Sequence, residues 1–90
     1  MKRKLLIVQY ESVRSSIAAN VDIISKLIDQ ADKLTDLANM IKEKDPNNQT
    51  LIADIESQIT NLKNLIIELL EQTNKLFDNY SAFADEVFDN

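Results

Sequence analysis

Apolar residues recur through the first half of the chain at alternating steps of four and three. Leu6, Tyr10, Val13, Ile17, Asn20, Ile24, Leu27, Ala31, Leu34, Ala38 and Ile41 trace one unbroken stripe whose single polar member is Asn20. That spacing holds a stripe on one side of a supercoiled helix and is the heptad signature of a coiled-coil seam. The second half repeats it. Ile52, Ile55, Ile59, Leu62, Ile66, Leu69, Thr73, Leu76, Tyr80, Phe83 and Val87 form a second stripe, again with one polar member, Thr73.

Between the stripes lies KEKDPNNQT, Lys42 to Thr50, which contains the only proline of a chain that has no glycine. Proline lacks the N–H that a helix interior needs, and it disfavours helical geometry at the residue before it. The first helix is therefore expected to stop at Lys44, with the cations Lys42 and Lys44 favourably placed in its last turn. Asp45 is expected to cap the second helix with Pro46 at its first position, and Asn47, Asn48 and Thr50 are rival caps. The expected organisation is one domain: a helix over about 3–44, a turn of Asp45, Pro46, Asn47 and Asn48, and a helix over about 49–88.

Folding the chain at Pro46 puts the two stripes in register. Facing residues of an antiparallel pair have numbers that add to one constant total. Ile41 then faces Ile52, Leu34 faces Ile59, Leu27 faces Ile66, Ile17 faces Leu76, Tyr10 faces Phe83 and Leu6 faces Val87. The two polar exceptions, Asn20 and Thr73, fall in the same layer, where a buried polar pair sets register and partner number. Small Ala31 and Ala38 meet bulky Leu62 and Ile55. The sequence thus predicts an all-α fold, an antiparallel two-helix hairpin of coiled-coil type. Its length is about 60 Å at 1.5 Å per residue.

The chain has more apolar residues than one seam uses. Ile7, Val21, Ile23, Ile28 and Leu37 flank the first stripe, and Leu51, Leu65, Ile67, Leu70 and Phe77 flank the second. The run LIIELL, Leu65 to Leu70, is apolar nearly all round, which suits a helix buried on more than one side. Ile23, Ile28, Leu37, Leu65, Ile67, Leu70, Phe77 and Phe88 are therefore the expected partner interface. The partner is a copy of the chain, making a four-helix bundle or larger assembly, or another helical protein. A shorter three- or four-helix bundle of one chain would need a break within an arm, and neither arm contains Gly or Pro.

Composition narrows the chemistry. Hydrophobic residues make up 44% and charged residues 28% of the 90, with a net charge of −5. An acidic chain lacks the basic face that nucleic acid or an anionic membrane selects. With no cysteine and no histidine, disulfides, Cys or His zinc sites, thiol nucleophiles and His bases are excluded. Without glycine there is no phosphate-cradling loop. Asp22, Asp29 and Asp36 recur every seven residues with Asp32 nearby, but away from the seam, as a solvated face does. Glu68 and Glu71 share one side of the second helix with nothing to form a cleft. No catalytic residue, metal or cofactor is expected. Leu5 to Val8, the apolar run after the basic start, is too short for a secretory signal core, and no run suits a membrane span. The expected location is the cytoplasm, or outside the cell after export without a cleaved signal peptide.

Two families of secreted helical hairpins show resemblances. DPNNQTLIADIESQIT, beginning at Asp45, resembles the turn and second-helix start of type III secretion needle subunits through Pro46, Asn48, Leu51, Ile52, Ala53 and Ser57. Gln49 stands where that turn has its second proline. This resemblance implies a subunit that polymerises into a hollow tube. The length and midpoint turn also resemble WXG100-type hairpins and the small helical partners of type VII secretion substrates, which implies a four-helix dimer. The Trp-x-Gly turn is absent, and the fourth residue after Tyr80 is Ala84, with Asp85 one step later. The function expected is a non-enzymatic interaction or assembly module, as a secretion-system component or helical partner of a secreted protein. The alternative is a small acidic regulator, inhibitor or adaptor that binds its target through an apolar helix face.

Overall fold

A computed structural model describes residues 2–88, apart from the side chains of residues 2, 3, 83, 87 and 88. Two helices account for nearly all of it, α1 (Lys2–Lys44) and α2 (Gln49–Phe88). They pack antiparallel along their length into a rod of 66 × 16 × 14 Å. Its radius of gyration is 19.9 Å, against about 12 Å for a compact domain of this length. Neither arm is interrupted, so the shorter single-chain bundle is excluded.

The reversal is made without glycine. The Asp45 N–H donates to the Ile41 carbonyl at 2.7 Å, completing the last turn of α1. The Asn48 N–H then donates to the Asp45 carbonyl at 3.1 Å, closing a four-residue turn with Pro46 in second place. No described residue has a positive φ. That leaves the type I geometry, which favours Asp first and Pro second and needs no left-handed residue.

The cap of α2 differs from the expectation. It is Asn48, not Asp45. The Asn48 carbonyl receives the Ile52 N–H at 3.2 Å, and its side-chain Oδ1 receives the Leu51 N–H at 3.4 Å. Asp45 and Pro46 are occupied in ending α1 and forming the turn, so the helix can start only afterwards, at Gln49.

Burial follows the stripes. In α1 every described residue that is not exposed belongs to the seam, and in α2 the one addition is Ala84. Ala38, Ile55 and Ile59 form the tightest cluster, with Leu34 and Ile41 packed against it. Ala38 is only 3% exposed because its small side chain lets the helices approach.

The polar layer forms as registered. Asn20 Nδ2 donates to Thr73 Oγ1 at 3.3 Å, while the Thr73 hydroxyl donates to the Leu69 carbonyl at 2.6 Å. Tyr10 departs from its expected layer. Its ring stacks on Tyr80 with centroids 4.8 Å apart, and the two hydroxyls share a 2.6 Å hydrogen bond. A half-buried hydroxyl needs a polar partner. Another tyrosine one turn along supplies it, and a phenylalanine has none to offer. The side chain of Phe83 lies outside those described.

Candidate interaction surface

The seam leaves two long sides of the rod, and they are chemically unlike. A hairpin of this kind places the positions just after the seam of both helices on one side, and those just before it on the other. Lys42 and Glu56 mark the first side by an ion pair of 2.7 Å across the helices. Thr35, Lys42, Glu56 and Lys63 line one open groove there, over Ala38 and Ile59. Gln30, Gln58 and Leu65 line a groove on the opposite side, over Leu34 and Leu62. We call these the bridge side and the amide side.

The expected interface residues divide between them. Ile28, Leu70 and Phe77 lie on the bridge side, joined by Val21 and, one step outward, Ile67. Ile23, Leu37 and Leu65 lie on the amide side, joined by Leu51. All of these are exposed, from 38% at Leu37 to 53% at Ile67. Phe88 is in α2, but its side chain lies outside those described. The residues expected at the interface thus occupy two sides of the rod. The separating signal was present in the spacing: Ile23 and Leu37 precede a seam residue, whereas Ile28, Leu70 and Phe77 follow one.

Charge sharpens the contrast. The bridge side carries Arg14, Lys42, Glu56 and Lys63. The amide side, between Gln9 and Leu37 on α1 and between Leu51 and Asn79 on α2, carries no charge at the positions beside the seam. The carboxylates sit further out. Asp22 and Asp29 pair with Lys26 and Lys33 one turn on, at 3.0 and 3.1 Å. With both partners largely solvated, such pairs contribute about 0.3–0.5 kcal/mol. Among the described residues no three His, Cys, Asp or Glu side chains cluster to hold a metal.

Among the described residues, Tyr10 has a displaced titration. Its hydrogen bond to Tyr80, with partial burial, raises its pKa above the ordinary tyrosine value, and nearby Arg14 opposes the shift. It sits in the seam, where the stacked Tyr80 supplies the hydrogen bond that shifts it. Among the described residues no helix is long and apolar enough to cross a membrane. Comparison with protein-family models, with curated proteins and with solved structures gives no match for this chain.

Proposed function

We propose that this protein is a non-enzymatic interaction module, a helical rod that works by offering apolar side chains to another helical surface. The observation that carries this is the area left uncovered. The chain exposes 6773 Å², against about 5,350 Å² for a compact monomer of 10.3 kDa. Exposed apolar side chains flank the seam on both sides, among them Val21, Ile23, Ile28, Leu65, Leu70 and Phe77. The resemblance of the turn to secretion needle subunits adds a narrower reading, a component of a secretion system or a helical partner of its cargo.

A photo-crosslinking residue tests the module. Placed at Leu65 or Phe77 in the cells that make the protein, it should give discrete protein adducts. Placed at Ser15 or Asp29, on outward positions, it should give none. Adduct mass separates assembly with itself from docking on another protein. Equal labelling from all four positions would refute the module.

A further inference from the structure

We propose that the Tyr10–Tyr80 pair is an oxidative cross-linking site, where a haem-peroxidase type of oxidant joins α1 to α2 through a carbon–carbon bond between the two rings. This goes beyond the interaction-module reading and needs no partner helix.

Tyr10 and Tyr80 are the only two tyrosines of the chain, 70 positions apart in sequence. The fold stacks them with ring centroids 4.8 Å apart and planes inclined by 29°. Their hydroxyl oxygens are closer still, at 2.6 Å. The rings therefore converge toward their hydroxyl ends, and the ortho carbons beside each hydroxyl lie in that converging half. Those carbons share the unpaired electron when a phenol is oxidised to its phenoxyl radical. Both residues are half-buried, so an edge of the pair is open to an oxidant while the seam holds the rings together. Groups held in contact react as though at very high local concentration.

The rest of the composition directs oxidation to this pair. The chain has no cysteine and no tryptophan, the side chains that would otherwise take the oxidising equivalent. A phenol is then the readiest one-electron donor. Met40 is exposed, but a thioether is oxidised by gaining an oxygen and forms no link.

Each phenol gives one electron to the oxidant and its hydroxyl proton to water. The two radicals couple at their ortho carbons, forming the carbon–carbon bond. The hydrogen on each of those carbons then moves to the adjacent oxygen, which breaks the C–H bond and restores both aromatic rings and both hydroxyls. Hydrogen peroxide takes up the two electrons and two protons and becomes two molecules of water. The link ties residue 10 to residue 80 near the open end of the rod. It lowers the entropy of the unfolded chain as a disulfide does, in a chain that has no cysteine to make one.

The test treats the purified chain with a haem peroxidase and hydrogen peroxide at several protein concentrations. Dityrosine fluorescence and mass after trypsin digestion are the readouts, with helicity checked by circular dichroism. The wild-type chain should lose two hydrogen atoms, and the tryptic peptides beginning at Leu5 and at Leu76 should emerge joined. The fraction linked should not depend on protein concentration. Tyr10→Phe and Tyr80→Phe should each abolish the link within the chain. Tyr80→Phe with Ser81→Tyr keeps two tyrosines but moves one to an exposed position off the seam. Linking within that chain should fall at least about tenfold. The linked wild-type chain should unfold at a higher urea concentration than the unlinked one, and an unchanged midpoint would mean that the bond is not made across the native contact. Links formed only between chains, rising with protein concentration, would overturn the proposal. So would equal linking within the Ser81→Tyr variant, or oxidation confined to methionine.

Discussion

Removing either member of the Asn20–Thr73 layer should have consequences that a count of polar groups would not give. The Thr73 hydroxyl has two partners, donating to the Leu69 carbonyl at 2.6 Å and accepting from Asn20 at 3.3 Å. Asn20→Leu therefore strands no donor at Thr73. It loses one net hydrogen bond, about 1 kcal/mol, and gains roughly the same by placing leucine at a half-buried seam position. The variant should be near neutral. Thr73→Val takes away the acceptor of the Asn20 amide and brings no new apolar reach, so it should cost about 1 kcal/mol. The double variant loses the shared bond only once. It should sit near wild type, a coupling of about 1 kcal/mol. Urea denaturation followed by far-ultraviolet circular dichroism, at one protein concentration, measures all four corners of the cycle. Additivity within about 0.3 kcal/mol would show that the residues do not share a layer.

Three further perturbations follow from the turn, the core and the tyrosine pair. Asn48→Ala should lower stability by about 1 kcal/mol and Asp45→Ala by clearly less, read from thermal melts, because Asn48 is the cap. Ala38→Leu should cost about 1–3 kcal/mol in urea, since the 3% exposed alanine sits where the helices are closest. The raised pKa of Tyr10 means that the fold favours its neutral form. The resulting stability is complete below the ordinary tyrosine value of about 10 and is lost as pH rises through the raised one. Tyr10→Phe should flatten the alkaline fall in melting temperature over that interval, and an unchanged fall would place its cause elsewhere.

The seam was readable because burial in a two-helix rod depends on periodicity alone. Ile24, Ala31, Ile55 and Ile59 are buried for no reason beyond their place in the heptad. The polar layer was readable for the same reason, since its partners are level. What escaped depended on reach and local competition. Tyr10 extends past its own layer to satisfy a hydroxyl, which number-matching does not capture. Asp45 has a capping side chain and a favourable neighbour in Pro46, yet its backbone is already committed to α1. The two sides of the rod were hidden by grouping Ile23 with Ile28 and Leu65 with Leu70 as surplus apolar residues. Their places before or after a seam residue separate them, and the Lys42–Glu56 ion pair marks one of the two sides.

The glycine-free turn also bears on the order in which the rod assembles. Closing a loop costs entropy that grows with its length, and partners close in sequence meet first. Ile41 and Ile52 can meet as soon as the turn forms. The Asn20–Thr73 pair spans 53 residues and the Tyr10–Tyr80 pair spans 70. Each layer gained brings the next into reach, so the arms should zip outward from Pro46. The polar pair then acts as a checkpoint on alignment midway, and the stacked tyrosines form one of the last clasps to close.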